Sequence, residues 1–503
     1  MDSKEKHTVA IIGSGFASLS AACHLAKKGL EVTIFEKNEQ TGGRARIFEE
    51  KGYRFDMGPS WYWMPDVFEK FFAQFGKSTA DFYELKRLSP SYQVFFNEHD
   101  TISIPSSIKE LEYLFETLEP GAGKKLQLFL KDAGYKYEAS MSDLIYTSGS
   151  SVTEYLNTKV LSGLLKSNLL TPFSKHARKY FKNEYLLQLI EFPVLFLGAT
   201  PNKIPALYSL MNYADMKLGT WYPMGGMHKI VEAMTNLALS LGVKIELNAK
   251  VEEIIKSEDG ITKGIKANNK IYYSDFVVAG ADYHHVEQQL LIEKDRKYNE
   301  QYWNKKTLAP SCLIYYVGVK KKIKNLQHHN LFFDADFNQH AKEIYTTPSW
   351  PSNPLFYVSC PSKTDPSVAP KDCENLFILI PVAPALSDTT EIQEKYFNKV
   401  MNRLENLTGE SITPHIEFKR NYAPSNFISD YNAFKGNAYG LANTLMQTAF
   451  LKPSLRSKKI KNLFYTGQLT VPGPGVPPAI ISGEIVAEEI NKIIKNYEYE
   501  STI

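Results

Sequence analysis

Cysteine is scarce in this sequence. The four cysteines among 503 residues, Cys23, Cys312, Cys360 and Cys373, stand apart with no C-x-x-C spacing, which argues against a disulfide framework or a cysteine zinc site. An excess of one charge is also lacking. Lys and Arg number 58 against 55 Asp and Glu, a net charge of +3, so bulk electrostatics gives no case for a nucleic-acid partner. No apolar run reaches the roughly 18 residues of a membrane-spanning helix. The closest, YLLQLIEFPVLFLGA from Tyr185 to Ala199, is broken by Gln188, Glu191 and Pro193. The opening MDSKEKH is polar and leads into a strand, so no secretory signal is expected and the expected location is the cytoplasm. Internal repeats and low-complexity tracts are missing, as is a Ser, His and Asp grouping in triad context. His284-His285 and His328-His329 resemble metal pairs only superficially, because neighbours on a strand point to opposite faces.

Aromatic residues are plentiful, with 30 Tyr and 29 Phe. Such a surplus suits large apolar pockets, a membrane-facing surface or a plain aromatic core. A hydrophobic fraction of 43% and a charged fraction of 22% are those of a globular protein. The length allows two or three folding units.

The first motif is a nucleotide grip. Thr8 to Ile12 reads as a buried strand, Leu19, Ala22, Leu25 and Ala26 lie at helical spacing, and Glu31 to Phe35 reads as a second strand ending at Glu36. The turn between them is G-x-G-x-x-S. Gly13 permits the tight turn, and Gly15 lets backbone N–H groups approach a pyrophosphate at the helix N-terminus. Ser18 replaces the third glycine and is small enough for close packing, while Glu36 stands where it can accept from a ribose hydroxyl. TGGRARIFEEKGYRFDMGPSWYW follows, Thr41 to Trp63. NAD-binding folds need no second glycine pair here. Flavoproteins of the amine-oxidase type carry one, and Gly42, Gly43, Arg44 and Ala45 resemble theirs, as does D-x-G-P at Asp56, Gly58 and Pro59. Arg44 could bring its charged fork to the pyrophosphate.

Farther along, Gly225 and Gly226 precede a helix with Ile230, Met234, Leu237 and Leu241 on one face, and Asn268-Asn269 reads as a hairpin turn. The fold class is α/β: a Rossmann-like domain built from 1–105, 218–300 and 455–503, a mostly helical insertion at 106–217, and a mixed-sheet substrate domain at 301–454. Strands are expected at SCLIYYVGV, PLFYVSC and LFILIPVA in that second insertion.

The whole chain resembles the bacterial-type carotenoid (phytoene) desaturases, FAD enzymes of the amine-oxidase superfamily. GSGFAS with Glu36-Lys37, GGRA, FDMGP, WYPMGGM, CPSKTDPSVAPKDCENLFILIPV and NLFYTGQLTVPGPGVPPAIISGEIVA carry the resemblance in order along nearly all 503 residues. Ser18, Gln468 and Pro478 depart from the family's usual residues without removing a group that flavin binding needs. The resemblance implies FAD, held around Gly13, Gly15, Phe16, Ala17, Ser18, Glu36, Lys37, Gly43, Arg44, Gly58, Pro59, Ser60, Val251, Gly467, Gly475, Val476 and Pro477. It implies hydride transfer from a carotenoid to flavin with loss of a neighbouring proton, and oxygen or a quinone as electron acceptor. The substrate lives in lipid, so peripheral attachment to the cytoplasmic membrane is expected, with YLLQLIEFPVLFLG and VLSGLLKSNLL as membrane-facing or core helices. Glu191 is either an exposed helix position beside Pro193 or a buried acid suited to proton exchange. A flavin-dependent carotenoid isomerase, an amine oxidase and a non-catalytic carotenoid carrier are the competing readings.

The resemblance implies that the proline-rich stretch GQLTVPGPGVPPAIISGE, Gly467 to Glu484, belongs to that flavin site. Pro477 and Pro478 suit a helix's first turn, where a missing N–H costs nothing. Gly473 and Gly475 let backbone approach the flavin ring. The helix that follows would aim its positive end at the N1–C2=O edge, where charge collects on reduction.

Overall fold

The run TVAII forms strand β1 (Thr8–Ile12), followed by helix α1 (Phe16–Lys27) and strand β2 (Glu31–Phe35). The computed structural model describes residues 6–142, 144–149, 171–195 and 197–500. VLSGLLKSNLL lies outside them. Strand β1 is the centre of a five-stranded sheet ordered Leu463–Tyr465, Phe276–Ala279, β1, β2, Lys244–Glu246, with every pairing parallel. One sheet therefore collects strands from the beginning, middle and end of the chain. A parallel sheet must be covered by its crossover helices. Here α1 packs against both the helix His228–Ser240 and the C-terminal helix Val476–Glu500. Beside it stands an antiparallel set, Val251–Lys256, Thr262–Ala267 and Lys270–Tyr273. Its hairpin turns at Asn268 and Asn269, with φ of 47° and 61°. Asparagine tolerates that left-handed pair, as a two-residue hairpin requires.

A second, mixed sheet of seven strands runs Ile416–Tyr422, Ser311–Val319, Glu374–Val382, Phe356–Ser359, His329–Phe332, Tyr92–Phe95, Thr101–Ile104. Its last two strands come from the stretch 1–105, which the sequence alone assigns wholly to the nucleotide-binding domain. Burial decides their partner: all four residues of Tyr92–Phe95 are buried. The Phe95 ring stacks on Phe332 at 4.7 Å, and Phe332 on Phe356 at 4.3 Å, a ladder across three strands.

The helical insertion contains Ile108–Leu118, Ala122–Ser142 and Glu184–Leu195. The last of these is buried along most of its length, from Leu186 through Val194. A membrane-facing role for YLLQLIEFPVLFLG is thereby corrected, because its apolar surface is already covered by protein. Among the described residues no helix is long and apolar enough to cross a membrane.

Close packing around α1 explains the departure at Ser18. That side chain is 1% exposed, and a Cβ added at Gly280 would lie 1.9 Å from its Oγ. The space that a third fingerprint glycine usually supplies comes instead from Gly280, just past the strand Phe276–Ala279. On the far side, a Cβ at Gly483 would lie 2.2 Å from the Ala17 carbonyl oxygen, so the C-terminal helix crosses α1 backbone to backbone. Gly280→Ala is expected to cost about 1–3 kcal/mol by overpacking. Adding Ser18→Ala, which removes the clashing oxygen, recovers part of that loss in urea unfolding; equal losses in both variants contradict the account.

Candidate functional site

Strand β1 ends at Ile12, and Gly13 turns the chain with φ of 87°, a region that side chains make costly. Gly15 caps α1, and a Cβ there would meet nothing within 4 Å. Open space therefore lies before the first turn of α1, formed by Phe16, Ala17 and Ser18. The free N–H groups and the positive end of the helix would suit an anion there. Glu36, 3% exposed, is fixed beside this turn. One carboxylate oxygen accepts from Ser14 N and Oγ at 2.8 and 2.7 Å, the other from Asn38 N and Nδ2 at 2.9 and 2.8 Å. A ribose hydroxyl would share these oxygens. The Ala249 N–H donates to the Glu36 carbonyl at 2.7 Å, which brings buried Val251 close by. Lys37 is committed elsewhere: its Nζ donates to the Ser429 carbonyl at 2.7 Å, and burial lowers its pKa.

The second glycine pair closes on the first. A Cβ on Gly43 would come 3.3 Å from Gly15 Cα, and one on Gly58 would lie 2.3 Å from the Arg44 carbonyl oxygen. GSG, GGRA and DMGP thus touch through backbone alone. Arg44 is short of partners. Its Nε has none, Nη2 reaches the Asn437 carbonyl only at 3.4 Å, and the guanidinium lies 5.2 Å from the Tyr431 ring centre. Burial lowers its pKa, against the field of Asp282. A phosphate group would satisfy such a fork. Asp56 serves the scaffold instead. It accepts from Met227 N and His228 N at 2.8 and 2.9 Å, tying the start of the helix His228–Ser240 to DMGP.

The proline-rich loop folds over α1. Gly467, Gly473 and Gly475 have φ of 107°, 137° and 111°, and a Cβ on Gly467 would lie 3.9 Å from that of Ala17. Val476, Pro477 and Pro478 begin the C-terminal helix. Ser482 Oγ on that helix accepts from the Gly467 N–H at 3.1 Å.

Two side chains beside this loop escape sequence reasoning. A Cβ on Gly473 would lie 3.1 Å from Asn443 Oδ1 and 3.2 Å from Lys452 Nζ. Both atoms are buried and unpartnered. The only signal for Lys452 is its place in the apolar run AFLKP.

Directly after Gly58, Pro59 and Ser60 comes an aromatic cluster. Trp61 stacks on His329 at 4.1 Å and meets Tyr357 at 5.5 Å and Tyr92 at 5.6 Å. Phe192 reaches Tyr92 at 5.4 Å, so the buried helix Glu184–Leu195 shares this wall. Ser60 Oγ accepts from Tyr357 OH at 3.1 Å. The rings of His328 and His329 lie 4.4 Å apart rather than on opposite faces, because His328 precedes the strand. Each is held by a hydroxyl, Thr364 Oγ1 at 2.8 Å and Tyr357 OH at 2.6 Å. Burial keeps both neutral. His284 lies 2.9 Å from Glu300 Oε1.

Glu191 is buried, which corrects the exposed alternative. It forms a close ion pair with Arg178 at the edge of a cavity of about 650 Å³ that also meets Lys175, Lys203 and Lys342. Burial raises its pKa and Arg178 draws it back down.

The family model for flavin containing amine oxidoreductase matches residues 16–491. A carotenoid 3,4-desaturase from Haloarcula japonica is 41% identical, over 96% of this chain and 97% of its own. A 4,4'-diapophytoene desaturase from Staphylococcus haemolyticus is 32% identical over 97% and 99%. An oxidoreductase structure from Methanosarcina mazei shares the fold, with a TM-score of 0.62, 18% identity and coverage of 96% and 100%. The chain belongs to the flavin-containing amine oxidoreductases, and within them to the carotenoid desaturases.

FAD is the cofactor of this class, and the residues fit it: a cradle bare of Cβ atoms at Gly15, Gly43 and Gly475, and an Arg44 fork in want of acceptors. Valine at position 475 would have to adopt a φ near 111°. Such strain costs about 1–3 kcal/mol. Gly475→Val is therefore expected to empty the flavin site or sharply lower its potential, read from flavin absorbance and redox titration of purified protein; unchanged flavin content and activity contradict it.

Proposed function

We propose that the protein introduces C=C bonds into a carotenoid chain, of the phytoene type or a later one, by hydride transfer to FAD. The observation that carries this reading is the meeting of the glycine cradle at Gly58–Ser60 with the aromatic wall of Trp61, Tyr92, Phe192 and Tyr357, in a chain 41% identical to a named carotenoid desaturase. When bound, FAD supplies the hydride acceptor. The first turn of α1 and Arg44 would hold its pyrophosphate, Glu36 its ribose, and the Gly473–Val476 loop its ring. A carotenoid offers little besides surface to grip. Burial at roughly 25 cal/mol per Å² is enough to hold it. Aromatic faces can stabilise positive charge that develops along the polyene as hydride leaves. In this reading 106–217 and 301–454 supply the substrate side, and oxygen or a quinone accepts the electrons.

A peripheral membrane surface belongs to the same reading, since the substrate partitions into lipid. Tyr113, Leu128 and Tyr135 on the helices Ile108–Leu118 and Ala122–Ser142 are 76%, 55% and 43% exposed and support it. Leu128→Asp with Tyr135→Asp is expected to reduce co-sedimentation with liposomes several-fold; undiminished binding counts against that surface.

Chromatography of pigments from cells that make phytoene or γ-carotene, with and without the protein, tests the reaction. A product with a longer chromophore is expected. A geometric isomer without net oxidation would indicate an isomerase, and unchanged pigment would contradict the proposal.

A further inference from the structure

Desaturation releases a proton as well as a hydride, and most of the buried acids and bases described above are already engaged. Glu191 is paired with Arg178 and Asp56 with two backbone N–H groups; His328 and His329 bond hydroxyls through Nδ1, and although their Nε2 atoms are unpartnered, burial makes both imidazoles weak bases. Lys452 differs. It is 5% exposed, and its Nζ has no hydrogen-bond partner among the described residues. It borders Gly473 in the loop that opens the C-terminal helix, beside the equally unpartnered Oδ1 of Asn443. The Asn443 N–H donates to the Leu197 carbonyl at 2.8 Å, and Thr448 Oγ1 lies 3.3 Å from Tyr208 OH. Residues 443–452 therefore line the seam between the helical insertion and the proline-rich loop. A cofactor ring held by that loop and a hydrocarbon held by the insertion would meet at this seam.

We propose that Lys452 is the catalytic base that takes the proton from the carbon next to the one that loses hydride. The inference rests on the desaturase reading. In each turnover one C–H bond breaks with both electrons going to the bound FAD. The adjacent C–H bond gives its proton to Lys452 Nζ, and the electron pair left behind becomes the new π bond. The ammonium then returns the proton to solvent before the next encounter. Asn443 Oδ1 borders the same glycine and makes no hydrogen bond to Nζ in this structure.

A lysine acts as a base only when neutral. Burial without a counter-charge pushes Lys452 down to about 7, and the field of Lys306 adds to the effect. A neutral amine also spares the polyene a like charge while its own positive charge develops. The charges gained by cofactor and lysine are opposite in sign, so each lowers the cost of the other.

The test uses holoenzyme mixed anaerobically with phytoene or γ-carotene in detergent micelles, following flavin bleaching across pH. For the wild type, the rate should rise through an inflection near pH 7 and level off above it. Lys452→Met should be about 100-fold slower or worse, the usual scale for removing a general base. Its inflection should vanish while FAD content and flavin potential stay as in the wild type. Lys452→Arg, which keeps the charge but cannot act as a base, should be equally slow, and ethylamine should restore part of the rate to Lys452→Ala. A Met variant within a few-fold of wild type, an active Arg variant, or loss of FAD from both variants would overturn the assignment. If the wild type bleaches with neither carotenoid, the desaturase reading itself fails and takes this assignment with it.

Discussion

Helix α1 is approached closely by backbone, and the rest of the molecule is arranged around that constraint. Gly280 gives way to Ser18, Gly483 rides on the Ala17 carbonyl, and Gly43 closes on Gly15 at the helix start. Ser20 Oγ donates to the Ile480 carbonyl at 2.6 Å, locking the crossing of the two helices. Bulk at these positions would hold the four chain segments apart. With it absent, the start of α1, the GGRA segment and the proline-rich loop pack close together. That is the geometry a dinucleotide needs.

The second sheet is tied to this centre through the DMGP segment. Tyr316 OH donates to the Met57 carbonyl at 2.7 Å, and Asn375 Nδ2 donates to the Arg54 carbonyl at 2.8 Å. Asp56 in the same segment caps a helix of the first domain. Four residues, Arg54 to Met57, thus connect the second sheet to a helix that packs on α1, and the aromatic wall starts at Trp61, four residues beyond. The glycine turn at Gly58 and the aromatic wall are neighbours in space because they are neighbours in sequence.

The parts most legible in the sequence are those set by local rules. The βαβ unit, the Asn268-Asn269 hairpin and the strand Ser311–Val319 follow from periodicity and turn chemistry. The destination of Tyr92–Phe95 was not legible, because strand pairing depends on rings such as Phe332 more than two hundred residues away. The apolar run at Glu184–Leu195 has the same composition in a core as on a membrane face, and only its packing decides between them. Glu191 reads as an unpaired acid until Arg178 is found beside it. Lys452 was invisible for a similar reason: what sets it apart is a missing partner, which no motif encodes.

The central claim is that this fold couples flavin reduction to polyene lengthening. It is tested most directly by stoichiometry in one anaerobic turnover, with purified holoprotein mixed with carotenoid in the absence of an electron acceptor. The account predicts one double bond gained for each flavin bleached. Flavin that stays oxidised, whether the carotenoid is isomerised or unchanged, would contradict it.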